Sequence, residues 1–334
     1  MGDALILSGD VGGTKAYLGL FRQRRSVLEA VAVERYASAD FPGVAQLLAS
    51  FLDAVGGGRP TEVVLGVPGP VRHTPVKAVN LPWHIDPEQI AADLGIARVR
   101  LLNDLEATAY GTLALGEEDV IELNHGEPDG QGNKAVIAAG TGLGEAGLCW
   151  TGEHYVAIAS EGGHASFAPG THREAELWRW LFERHGHVSW ERMVSGPGLV
   201  NIYEFLRETG AGEEPGWLQH ELHEQGASAR VISAAALKGH AELAVQALDQ
   251  FVALYGAEAG NLALKMLATG GVYIGGGIAP QIADKLADGT FMDAFAEKGR
   301  MSDVLRRTPV YIIKNDQTAL LGAAYYGARG GVHS

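Results

Sequence analysis

The chain has 334 residues, 46% apolar and 20% charged, which excludes a disordered or fibrous protein and, on length, predicts two domains. Its 26 Lys and Arg against 40 Asp and Glu leave a net charge of −14, which argues against a nucleic-acid or anionic-membrane partner. One cysteine, Cys149, rules out an internal disulfide and any Cys-clustered zinc site.

No apolar run is long enough to span a bilayer. The opening "MGDALIL" has no basic region of a signal peptide and leads directly into a strand-like pattern, so a cytoplasmic protein is expected. The apolar runs 4–8 and 16–21 flank a Gly turn and predict a β-hairpin, with 28–36 as a third strand. Val44, Leu47, Leu48, Phe51, Leu52 and Val55 recur at helical spacing, and Gly56–Gly58 end that helix. "EVVLGVPGPV" (62–71) reads as a buried strand ending in a Pro-Gly-Pro turn, and Pro87 opens a helix near 87–94. A strand at 98–102 ends in "ND", and a helix is expected over 105–115.

The second half restarts the theme. "KAVIAAGTGLGEAGLCW" (134–150) is again strand, Gly turn, strand, with Gly140 where Asp10 stands and Gly142 where Gly12 stands. Residues 171–185 predict a helix with a capping box from Thr171 to Glu174 and an inner face of Ala175, Trp178, Leu181, Phe182 and His185. Ser195 and Pro197 begin another, with Leu199, Ile202, Tyr203 and Leu206 inward. Residues 240–268 form a long Ala/Leu-rich helix, "GGVYIGGGIAP" (270–280) a strand between two Gly turns, 309–313 a last strand and 316–328 a terminal helix. "ETGAGEEPG" (208–216) is the best surface loop.

"GDVGGTK" (9–15) has the look of a phosphate loop, and its type decides the fold. A Walker loop beginning at Gly9 requires Gly at position 14, where Thr14 stands, and a helix afterwards, where "AYLGLF" is strand-like. Gly142–Gly147 matches the dinucleotide pattern formally, but strands come after it where a helix should. The remaining option is a Gly turn between two strands, preceded by an acid. The backbone N–H groups of such a turn make an anion nest, and Gly12 and Gly13 let a phosphate approach closely. Asp10 beside a phosphate calls for a Mg²⁺ with bound waters between them, and Thr14 offers a hydroxyl. An ordinary hairpin turn is the plain alternative.

"GDVGGT" (9–14), "NDLEA" (103–107), "GTGLG" (140–144), "EGGH" (161–164), "HVSWERMVSGPGL" (187–199), "GNLAL" (260–264) and "GGVYIGGGIAP" (270–280) stand in the order seen in bacterial-type glucokinases, and the chain resembles that family over nearly its whole length. The related ROK sugar kinases usually carry a Cys-rich zinc motif that one cysteine cannot supply, so the resemblance is to the zinc-free branch. Lys15 departs from the Asn common there.

The resemblance implies an α/β, actin-like (ribonuclease H-like) fold of two domains around a cleft. The small domain is expected at 1–115 plus 315–334 and the large at 116–314. It implies ATP-dependent phosphorylation of D-glucose with Mg²⁺, in a homodimer. Asp104 is then the catalytic base. The helix it opens favours its ionised form, and Asn103 beside it has donor and acceptor for a hydroxyl pair. Read as residues alone, Asn-Asp at a helix start is most often a cap. Asn103, Asp104, Glu161, His164 and Glu191 are the implied sugar ligands. Gly9, Asp10, Val11, Gly12, Gly13 and Thr14 form the first phosphate loop, with Asp10 reaching the metal through water. Gly140, Thr141, Gly142 and Gly144 form the second, and Gly276 belongs to a turn on the adenosine side. A kinase of another hexose or amino sugar, and a non-catalytic actin-like ATP switch or sugar sensor, remain as alternatives. A DNA-binding segment often precedes the first loop in such sensors, and nine residues precede Asp10 here.

Overall fold

The structure, a computed structural model, describes residues 4–24, 27–56, 58–71, 74–77, 82–226 and 228–330, so Gly57 of the expected helix stop lies outside the described residues. The chain divides into two compact units. Residues up to 119, 153–159 and from 315 onward make the first; 120–152 and 160–314 make the second. Residues 116–119 and 153–159, which the sequence reading places in the larger domain, therefore group with the first unit.

In the first unit, β1 (Ala4–Val11), β2 (Lys15–Arg24) and β3 (Val27–Ala37) follow one another in antiparallel pairs. Then come α1 (Val44–Val55), β4 (Glu62–Val67), a small ribbon of β5 (Val76–Lys77) and β6 (His84–Ile85), α2 (Pro87–Leu94), β7 (Val99–Asn103) and α3 (Asp104–Gly111). The main sheet runs β3-β2-β1-β4-β7, with β1, β4 and β7 parallel. All six residues of β4 are buried, as a strand covered on both faces must be. Leu47, Leu48 and Phe51 of α1 pack on one face of the sheet against Leu7, Leu18 and Leu65. The expected 105–115 helix stops at Gly111; residues 112–114 continue in turns.

In the second unit, β8 (Val120–Asn124), β9 (Lys134–Ala139) and β10 (Leu143–Trp150) precede β11 (Tyr155–Ser160), which straddles the division. After α4 (His172–His185), α5 (Gly196–Glu208), α6 (Gly216–Gln225), α7 (Ala229–Leu237) and α8 (Glu242–Met266) come β12 (Gly271–Gly275), the short α9 (Ala283–Leu286), α10 (Thr290–Ala296) and α11 (Ser302–Arg307), and β13 (Val310–Ile313). Strands β10, β9, β12, β13 and β8 lie side by side in that order. The first four repeat β2, β1, β4 and β7 in order and direction, so the two halves are built alike. Helix α8 runs through the core, with Phe251, Tyr255 and Leu262 buried.

The inner face of α4 is turned from the one expected. Leu177 and Leu181 are buried, whereas Phe182 and His185 are exposed. Three aromatics in one helix mislead the periodicity. Phe182 stacks on Trp178 at 5.0 Å, and Trp180 reaches sideways to the Glu208 carboxylate. The terminal helix, α12 (Thr318–Ala328), returns to the first unit and covers the other face of its sheet, where Leu320 and Ala324 meet Tyr17 and Phe21.

Candidate active site

Parallel strands end together, so the loops and helix starts after them gather along one edge of the sheet. In the first unit Asp10 is level with Gly66 of β4, which is level with Leu102 of β7; one residue on, Val67 is level with Asn103. The loop after β1 and the start of α3 thus share the C-terminal edge of the sheet. The Gly12 N–H donates to the Lys15 carbonyl at 3.0 Å, closing the turn, and the Gly12 carbonyl accepts the Ser38 hydroxyl at 2.8 Å. Gly9 lies flat between Leu18 and Leu65, where a side chain would collide with both.

Asp10 is only partly exposed, and its carboxyl is raised from 3.8 to about 6. Burial is the main cause, followed by the charge of Asp104; Lys15 opposes them and Asp316 adds to them. The Lys15 ammonium lies 5.1 Å from the centre of the Tyr17 ring, and the Tyr17 hydroxyl donates to Asp316 at 2.6 Å. This edge therefore gathers more negative charge than positive.

Asn103 caps α3 in full. Its side-chain oxygen accepts the Leu105 and Glu106 amides at 2.9 and 3.4 Å, and the Glu106 carboxylate accepts the Asn103 N–H at 3.0 Å, a complete capping box. The amide nitrogen donates one proton to the Gly69 carbonyl at 3.2 Å. Asn103 thus keeps one N–H for a ligand and no acceptor lone pair, so it can serve a hydroxyl as donor only. Asp104 is the first helical residue; one oxygen accepts the Leu105 amide at 3.0 Å. The cap is Asn103, and Asp104 beside it is the first residue of the helix.

In the second unit the turn Gly162–His164 and the segment Trp190–Arg192 bring His164 and Glu191 together, Nδ1 to Oε1 at 3.9 Å. The other Glu191 oxygen accepts the Leu143 N–H at 3.0 Å, and a side chain at Gly142 would strike it. Glu191 is thereby fixed to the end of the Gly140–Gly144 loop. Ser195 caps α5 and donates its hydroxyl to the Glu191 carbonyl at 2.6 Å, and the His187 ring nitrogen meets the His164 carbonyl at 3.1 Å. Glu161 is exposed at the start of the turn.

Gly140 opens the second loop. Its N–H donates to the Gly142 carbonyl and its carbonyl accepts the Gly196 N–H, both at 2.8 Å. Beside it is a cavity of 540 Å³ with Gly140, Thr141, Gly196, Asn201, Gly277 and Gln281 in its wall. Gly276 has φ +83°, and a Cβ there would run into the Ala139 carbonyl, so only glycine turns the chain from β12 into this wall. The buried Tyr255 hydroxyl accepts the Ala139 N–H at 3.1 Å, pinning β9 where the loop begins.

Sequence reasoning missed Asp316, Tyr17, Asn201 and Gln281. Asp316 and Asn201 are brought in by the fold from distant elements, whereas Tyr17 and Gln281 stand just past Gly-rich stretches, where no local pattern marks them. Ser195 was legible as the start of α5, but not as the support of Glu191.

The glucokinase family model matches residues 7–329. The chain is 40% identical to the glucokinase of Nostoc punctiforme over 97% of its own length and 99% of that protein's. It superposes on the crystal structure of a glucokinase from an Antarctic psychrotroph with TM-score 0.86 and 31% identity, covering 96% of this chain and 98% of that one. A ROK family glucokinase from Streptomyces griseus, solved with glucose and AMPPNP, shares the fold at TM-score 0.62 and 21% identity over 98% of this chain and all of that one.

Proposed function

The chain belongs to the glucokinase family and has its two-domain, actin-like sugar-kinase fold, and on that premise we propose that it transfers the γ-phosphoryl group of ATP to the 6-hydroxyl of D-glucose. The observation that carries the reading is Asp104. It is a carboxylate at the N-terminus of α3, on the strand edge that also holds the Asp10 loop.

Asp104, at the terminus of α3, takes the hydroxyl proton as the oxygen attacks phosphorus. Asn103 contributes its remaining N–H to the sugar. Glu161, His164 and Glu191 take further hydroxyls, and an epimer that leaves one of them unpaired is rejected. The loops Gly9–Thr14 and Gly140–Gly144 receive the phosphates, through amides other than those of Gly12, Gly140 and Leu143, which are engaged within the protein. The cavity by Gly276 and Gly277 receives the nucleoside.

Among the described residues no three metal-ligating side chains converge, which suits Mg²⁺ held by phosphate oxygens, water and a single carboxylate. The excess negative charge at Asp10 fits such a cation, and Asp10 would hold it through water. When bound, Mg²⁺ neutralises phosphate charge. A homodimer in the cytoplasm is part of the same proposal, as the resemblance implies.

The test is ADP release from ATP with Mg²⁺ in the presence of glucose, mannose, fructose, galactose or N-acetylglucosamine. Glucose should give the highest kcat/KM. Preference for another sugar would move the assignment to that substrate, and slow turnover indifferent to every sugar would make the chain an ATP switch.

A further inference from the structure

Beneath the Glu161–His164 turn lies a pair of buried acids that phosphoryl transfer does not use. Leu143, Glu145 and Gly147 share one face of β10. The turn lies directly on that face. A side chain at Gly163 would strike the Leu143 carbonyl, and one at Gly162 would strike the Glu145 carboxyl. The Gly162 N–H is held from the side by the Ser160 hydroxyl at 2.9 Å.

Glu145 is 1% exposed, and it meets Glu258 of α8, 0% exposed, at hydrogen-bonding distance. The Glu258 oxygens are already engaged, accepting from Asn261 at 2.8 Å and Lys265 at 3.2 Å. Glu145 Oε1 is buried without a donor among the described residues. The other charge facing the pair is Lys298, after α10, which feels Glu258 and donates to the Ala257 carbonyl at 2.9 Å. Two dry carboxyls in contact do not both ionise.

We propose that Glu145 is a positioning residue for the sugar site: its carboxyl, hydrogen-bonded to Glu258, is the floor that sets the Gly162–Gly163 turn and with it Glu161 and His164. The proposal rests on the reading of those two residues as sugar ligands. Burial and then the Glu258 charge push Glu145 up to about 8, against the pull of Lys265. At neutral pH Glu145 therefore carries the proton and donates it to Glu258. Above that range two buried charges oppose each other under the turn.

The experiment is glucose KM and kcat from pH 6.5 to 9.5 for the wild type, Glu145→Gln and Glu145→Ala, with the thermal midpoint of each as the folding control. Gln reproduces the neutral, donating carboxyl. The wild-type KM should rise about fivefold or more above pH 8, the effect of roughly 1 kcal/mol, with kcat changing less. Glu145→Gln should match the wild-type KM at pH 7 and stay flat to pH 9.5. Glu145→Ala should have a raised KM throughout. A KM rise that survives in Glu145→Gln, or an unchanged KM in folded Glu145→Ala, overturns the role of Glu145. A wild type that is not saturated by glucose at any pH, and binds none by calorimetry, overturns the sugar reading itself.

Discussion

Asp104 and Asn103 are neighbours in sequence, and substitution separates the tasks proposed for them. Asp104→Ala should lower kcat by about 10²- to 10⁴-fold, the usual weight of a general base, while glucose binding by calorimetry, with the other sugar ligands in place, weakens far less. A loss of only a few-fold would return Asp104 to a structural role. Asn103→Ala should instead cost about 1 kcal/mol in urea unfolding through the lost cap, and weaken glucose binding as well. Asp10 gives a pH signature. Its carboxyl is held near 6 in the fold against 3.8 when free, so the folded state binds its proton more tightly. That contribution to stability is complete below pH 3.8 and is lost as pH rises through 6. Asp10→Asn should therefore be more stable than the wild type at pH 7, by thermal midpoint, yet have a much weaker apparent affinity for MgATP. If it is neither more stable nor impaired with nucleotide, the charge crowding at this edge has no functional meaning. The pattern "GDVGGT" exposed Asp10 and its turn in the sequence, because a Gly turn between apolar runs is a local signal. Asp316 was not legible, since only the return of the chain to the first unit brings it near Asp10.

Elements that bury both faces, or that carry a strict period, were legible. The first hairpin, α1, α5 and α8 are of this kind, and each has apolar residues where the core lies. Others had no comparable signal. Strand β8 is a sheet edge with no fully buried residue, and α6 buries only Leu218, so neither has a periodic apolar face. Helix α4 shows the opposite failure: its aromatics outnumber the positions that face the core. The contact of α3 with α12 is a different case, invisible in sequence because it depends on two glycines. Gly111 lies against Thr318, and Gly322 lies against the Ala107 carbonyl. Gly322→Leu should destabilise the protein by about 1–3 kcal/mol or more in urea unfolding, as overpacking does, and should reduce kcat because α3 carries Asp104. A neutral result would mean that α3 can shift without disturbing the base. In the second unit, Gly276→Ala forces a left-handed residue against the Ala139 carbonyl, and it should raise KM for ATP more than KM for glucose. Equal effects on both would detach that turn from the nucleotide.

The likeness between residues 4–21 and 134–150 was the clue to architecture at the scale of the molecule. The matching strand order of the two sheets bears it out. Duplication places one Gly loop in each unit, each at the C-terminal edge of its parallel strands. Glycine density located both loops, whereas the residues that complete the sites come from elements scattered along the chain. If Mg²⁺ serves the phosphates as proposed, activity should vanish in EDTA and return with Mg²⁺ alone, since the single cysteine cannot supply a Cys-rich zinc motif. A requirement for zinc would contradict the placement in the zinc-free branch. The central claim is the transfer itself, and ³¹P NMR of the protein mixed with ATP, Mg²⁺ and glucose tests it most directly. The account predicts glucose 6-phosphate appearing in step with ADP. Inorganic phosphate in its place, at a rate that glucose does not change, would contradict it.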